Sequence, residues 1–346
     1  MLKLIKKYRF IILAEFIPYL FLLFILVTPT KFEVDLPGGI RPVENVILVD
    51  SNYEQKGSFN TTFVLTYRNM TIFQKLVCDN FYQANVLEIS DEYAYIDNKW
   101  AYKQGEVSKE SSVYASLIAG YEAASLYDSN VYIDYEIIGR YVYNVSPNIN
   151  QNANELNVGD VIKGSTSEEV SANVSAYLNG EADHLSIYRK KNGKYEELAL
   201  APTILDDNGT KKLGITIIWY CYQINDIFPS FDIKSTTIGG NSGGLMQTLS
   251  IFNHLTEFDY TMGYKIAGTG AINTSGGVEM IGAIEQKIYT ANRNHVKLFF
   301  VPKSQYEEAM KAYNRLKNPK FEVVPVETFS EAVSYLDNMA KELGLK

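Results

Sequence analysis

Polar residues nearly vanish from one block near the start of the chain. From Phe10 to Val27 the sequence is almost continuously apolar, broken by Glu15 and Pro18, and the run is about as long as a helix that crosses a bilayer core. Lys3, Lys6, Lys7 and Arg9 precede it. That excess of cations predicts a cytoplasmic N-terminus at residues 1–9, a membrane anchor at 10–28, and an extracytoplasmic remainder. A cleaved signal peptide is the competing reading. The span is long for one, and no small-residue cleavage pattern follows in LVTPTKFEVDLPGG.

Beyond this block the period changes several times. Asn45 to Tyr67 alternates β-branched and aromatic residues with polar ones, which predicts strands. Ser111 to Leu126 places apolar residues and alanines at helical spacing. Residues 31–133 therefore read as strands plus a helix. A compact unit follows at 134–203. It has a strand in GRYVYNVSPN, the segment ELNVGDVI, and a short helix with Val170, Val174 and Leu178 four apart. Two strands meeting at Asn192-Gly193, a favoured hairpin turn, close it. In residues 204–346 strands and helices alternate: GITIIWYCYQI, a helix from Leu245, YKIAGTGAI, a helix from Ile281 to Asn292, KLFFVP, a helix from Ser304, FEVVPV and a helix from Thr328. The whole is a mixed α+β / α/β chain.

Candidate chemistry centres on IGGNSGGLMQTLSIFNHL. Glycines flank Ser242, and Leu245, Met246, Leu249 and Phe252 share one helical face just after it. The serine thus sits where a turn enters a helix, among free amides suited to an oxyanion. A serine that only caps the helix fits the same pattern. A phosphate loop does not, because GxxxxGK[ST] and GxGxxG are both absent. A nucleophilic serine needs a base. His184, His254 and His295 are poorly placed for the task. Lys287 lies at the edge of an apolar stripe formed by Ile281, Ile284, Ile288 and Ala291. Held against that surface, its amine loses hydration and its pKa falls. A lysine that runs its stem along the stripe and keeps its ammonium in water is the alternative.

Taken together, GGNSGG and, 45 residues on (287 − 242), the lysine of IGAIEQK resemble the Lon-type proteolytic domain. IAGTGAINTSGGVEMIGAIEQK and KLFFVPKSQYEEAM look like that family's connecting segments, and the 134–203 unit resembles a PDZ domain. With the anchor, the chain is similar to membrane-bound, PDZ-containing Lon-like peptidases, in which the PDZ domain is inserted within the protease fold. The resemblance implies Ser242 as nucleophile, Lys287 as base and Thr269 as the threonine that orients the lysine. Gly240, Asn241 and Gly243 would support the loop. Where the family carries G-P-S-A-G this chain has Asn241 and Gly243, a change expected to loosen the loop, and Ala283 replaces a glycine of the family's I-G-G run. A trypsin-fold protease of the HtrA type is opposed by the lack of any histidine before His184. A non-catalytic, membrane-tethered peptide-binding scaffold remains the other alternative.

Composition narrows the field further. A net charge of −8 argues against nucleic acid as a partner. Cys78 and Cys221 form no metal-ligand spacing and are expected as free thiols. No HExxH occurs, so no metal is expected, and no ATPase segment or nucleotide motif is visible. The expectation is an ATP-independent peptidase without cofactor, acting on peptides or membrane-proximal proteins, with homo-oligomerisation left open.

Overall fold

The computed structural model describes residues 2–51, 53–149 and 152–346. Helix α1 (Leu2–Val27) contains the whole apolar block, with Pro18 inside it. At 26 residues it is about 39 Å long, long and apolar enough to cross a membrane. Phe10, Phe16, Tyr19 and Phe21 of this helix are exposed.

Next come β1 (Phe32–Pro42), β2 (Ile47–Val49) and β3 (Ser58–Tyr67). A helix absent from the sequence reading, α2 (Ile72–Asp79), starts at a capping box between Thr71 and Gln74. Strand β4 (Asn85–Glu88) leads to α3 (Asn98–Ser125), which begins well before the expected Ser111.

The central unit runs through β5 (Tyr132–Val145), β6 (Val161–Lys163), α4 (Ser167–Asn179), β7 (Leu185–Lys191) and β8 (Lys194–Leu200). Asn192 and Gly193 both take positive φ, as the two-residue turn requires. A short hairpin, β9 (Leu205–Asp207) with β10 (Thr210–Lys212), precedes β11 (Ile215–Phe228). Strand β11 pairs antiparallel with β5 along its full length, so one sheet runs β11-β5-β6-β7-β8. The sheet therefore extends past residue 203 to take in β11. Val170, Val174 and Leu178 of α4 pack on it with Val142, Ile162 and Ile187.

The remaining elements are β12 (Phe231–Ile233), α5 (Gly244–Leu255), β13 (Lys265–Gly268), β14 (Ala271–Ile272), β15 (Val278–Glu279), α6 (Ile284–Arg293), β16 (Leu298–Pro302), α7 (Tyr306–Asn314), β17 (Glu322–Val326) and α8 (Phe329–Glu342). Helix α6 starts three residues later than Ile281, because Ala283 adopts a left-handed conformation (φ 56°). The principal sheet has the order β17-β16-β13-β3-β1-β4. Strands β3, β13, β16 and β17 run parallel, and β1 is antiparallel to both β3 and β4. The period-two rule distributes its side chains to two faces. Ile266, Leu298, Phe300 and Val324 meet α3, α5 and α8 on one face, while Ala267, Phe299, Val301 and Val323 meet α6 and α7 on the other. Helices thus cover both faces of a mixed α/β sheet.

Candidate active site

Close backbone packing shapes the loop before α5. Gly239 lies against Gly105 of α3, where a Cβ would meet the Gly105 backbone at 2.8 Å. The Gly240 amide donates to the Gly105 carbonyl oxygen (2.8 Å), and Gly240 itself takes a φ of 96° that favours glycine. Asn241 contributes through its main chain, its carbonyl accepting from Ser112 Oγ (3.0 Å) and from the Gly244 amide (3.2 Å). Gly243 precedes the first residue of α5, and a Cβ there would come within 2.9 Å of Thr61 Cγ2. An alanine here would press on β3. Ser242, half-buried, is two residues ahead of α5. The helix behind it is fixed by Leu245, Met246, Leu249 and Phe252, all buried as the spacing predicts.

Two elements converge on Ser242 from the sheet side. Thr269, in the turn after β13, is fully buried, and its amide donates to Phe300 O (2.9 Å). Its hydroxyl donates to the Ser242 carbonyl oxygen at 3.0 Å, and the Gly270 amide donates to the same oxygen at 2.9 Å. Lys287 Nζ donates to Thr269 Oγ1 at 3.0 Å. One hydroxyl therefore joins the main chain of Ser242 to the amine of Lys287. Lys287 is only 3% exposed, so the solvated, snorkelling conformation does not occur. Burial pushes its pKa from 10.5 down to about 7, and the carboxylate of Asp35 on β1 partly opposes the fall. Near neutral pH a sizeable fraction of this amine is uncharged and able to accept a proton.

Position and burial of Lys287 follow from the start of α6. The Lys287 amide donates to the Ala283 carbonyl (3.3 Å). Gln305 clamps Ile281, two residues before Ala283, its Oε1 accepting from the Ile281 amide and its Nε2 donating to the Ile281 carbonyl, both at 2.8 Å.

The histidines lie elsewhere. His254 sits at the far end of α5 with Nδ1 against Ser250 O (2.8 Å), and His184 and His295 are exposed in other parts of the fold. Among the described residues no group of three or more His, Cys, Asp or Glu could hold a metal ion. Cys221 is buried, Cys78 is half-buried, and both are free.

Sequence reasoning missed the contribution of α3. Gly105, Lys109, Ser112 and Ser116 fall on one helical face, and that face lies along the loop. Lys109 Nζ donates to Thr236 O (3.1 Å), and Ser116 Oγ lies 3.1 Å from Gly244 O. The only available signal was small and polar residues at spacings of three and four, which carries no apolar stripe.

Residues 221–337 match the family model of the Lon protease (S16) C-terminal proteolytic domain. No curated protein matches the chain. The matched stretch takes in α5, β13, the Thr269 turn, α6, β16 and β17, and most of α8. Strands β1, β3 and β4 lie outside it and complete the same sheet. The serine loop and the buried lysine both lie within the matched stretch, which is similar to the Lon protease (S16) C-terminal proteolytic domain.

Proposed function

We propose that this protein is a membrane-anchored, ATP-independent serine endopeptidase that works through a dyad of Ser242 and Lys287. The observation that carries the reading is the buried Lys287 amine, tied through Thr269 to the Ser242 main chain. In the reaction, neutral Lys287 Nζ takes the Ser242 hydroxyl proton as Oγ attacks the peptide carbonyl carbon. The carbonyl oxygen becomes an oxyanion and is held by main-chain amides at the turn into α5. The Lys287 ammonium returns the proton to the departing amine as the C–N bond breaks, leaving an acyl-enzyme. Water, deprotonated by the same amine, then releases the second product. Thr269 keeps the amine from rotating away.

The exposed apolar surface of α1 supports anchoring, and the cations before it support a cytoplasmic N-terminus with the body outside. The unit around β5–β8 supports a PDZ-type reading. Strand β11 ends its sheet, and Tyr220 on that strand meets Ser167 at the start of α4 through their hydroxyls (2.9 Å). An open strand edge next to a helix suits an extended peptide added as a further strand. Peptides and flexible, membrane-proximal protein segments are the substrates this arrangement fits.

The test is hydrolysis of casein or a quenched peptide by the parent chain beside Ser242→Ala and Lys287→Ala. Activity in the parent and loss of at least about a thousandfold in each variant is expected. Wild-type turnover by folded Lys287→Ala would refute the dyad.

A further inference from the structure

We infer that Ser112 of α3 is a positioning residue for catalysis, setting the direction of the amides that receive the oxyanion; the inference rests on the protease reading above. Two consecutive carbonyls, those of Asn241 and Ser242, bracket the nucleophile. Ser112 Oγ holds the first at 3.0 Å, from the helix side. Thr269 Oγ1 and the Gly270 amide hold the second at 3.0 and 2.9 Å, from the sheet side. Each peptide is planar and trans, so fixing one carbonyl on either side of Ser242 fixes both of its soft dihedrals.

The same planarity sets where the amides point. In a trans peptide the N–H is directed opposite to the C=O. With the Asn241 carbonyl drawn onto Ser112, the Ser242 N–H is turned away from α3. With the Ser242 carbonyl drawn onto Thr269, the Gly243 N–H is turned away from that hydroxyl. Among the described residues neither amide donates to another group of the protein, whereas the neighbouring amides of Gly240, Gly244 and Leu245 all do. Two free donors next to the nucleophile make an oxyanion site.

Ser112 is suited to this role because it is buried and its helix is anchored along the whole loop. Lys109 and Gly105 take the loop one and two turns earlier, and Ser116 lies against Gly244 one turn later. Losing the Ser112 hydroxyl would not orphan the Asn241 carbonyl, because the Gly244 amide still donates to it. The fold should therefore survive while the peptide plane gains freedom.

The experiment compares the full-length parent in detergent with Ser112→Ala and Ser112→Thr, on peptide hydrolysis and on binding of a peptide boronate. The boronate forms a tetrahedral adduct on serine and places an oxygen in the oxyanion position. For Ser112→Ala, kcat should fall about tenfold or more with KM changed little, since the amides act on the transition state. Boronate affinity should fall by a similar factor, and the pH midpoint of activity should stay in place because Lys287 is untouched. Ser112→Thr, which restores a hydroxyl, should recover most of the loss. Wild-type kcat in folded Ser112→Ala, a loss confined to KM, or a moved pH midpoint would each overturn the role of Ser112 while leaving the dyad standing. A parent that neither hydrolyses peptide nor binds boronate would remove the protease reading, and this inference with it.

Discussion

At Lys287 the proposed catalytic role and stability pull in opposite directions. In the unfolded chain this lysine titrates at about 10.5, and in the fold at about 7. Between these values the unfolded state binds the extra proton, so stability rises with pH across that window. Below about pH 7 the folded protein is protonated as well, and the full cost of burial applies. A displacement of this size costs several kcal/mol, at about 1.4 kcal/mol per decade of proton affinity. Lys287→Met should therefore be inactive yet more stable than the parent. The gain should be largest at pH 6 and should vanish above the unfolded pKa, as urea denaturation across pH would reveal. Activity has the matching sign: it should climb through about pH 7 as the amine loses its proton. Asp35 is the charge that holds the midpoint up, so Asp35→Asn should move the activity midpoint to lower pH, and an upward move would contradict the assignment. The sequence located Lys287 at the edge of an apolar stripe but could not say whether its amine reached water. That depends on β1 and β3 closing over α6, which no local pattern records.

Element by element, legibility followed the source of burial. Helix α5 and the stripe of α6 could be read because they bury leucine, isoleucine and phenylalanine at helical spacing. The first half of α3, NKWAYKQGEVSKESS, could not, because the face that meets the serine loop packs on main chain. Its Gly105 and Ser112 are selected for close approach and hydrogen bonding, so the periodic apolar signal is missing. The start of α6 was misplaced for another reason. Ala283 occupies a left-handed position where a side chain costs about 1–2 kcal/mol. Ala283→Gly removes that cost and adds unfolded-state entropy of about 0.4–1 kcal/mol. A net stabilisation of about 0.5–1 kcal/mol is expected, readable as a higher denaturation midpoint. A lower midpoint would show that the alanine methyl makes a contact worth more than its strain.

For the whole molecule, α3 is the shared wall between two units. Glu110 receives Lys190 Nζ (2.6 Å) and the Tyr195 hydroxyl (3.1 Å), and Ser111 Oγ donates to Tyr220 O (2.8 Å), while Ser112 faces the serine loop. The alternation of strands and helices was visible in the sequence, but this wall was not, because it joins residues far apart in the chain. Helix α1 contrasts with α3 in that none of its described side chains is buried. Thr28 and Thr30 are held to α2 and its preceding loop by main-chain hydrogen bonds. A chain beginning at Thr28 should keep its Tm and its peptide turnover, and should lose only membrane partition in flotation assays. A drop in Tm would show that α1 packs on the body after all.

The pairing of β3 with β13 also governs when the serine site can exist. Asn60 Nδ2 donates to Ile266 O, and Thr62 Oγ1 donates to Gly268 O, across 206 residues of sequence. The edge next to the Thr269 turn is thus made early in synthesis and waits for its partner until most of the chain has emerged. Contacts of such separation form slowly. Until residues 265–268 emerge, a nascent chain would carry an unfinished sheet and no organised serine. Serine and lysine would come together only in a finished chain, so a translation intermediate, however long-lived, would be inert.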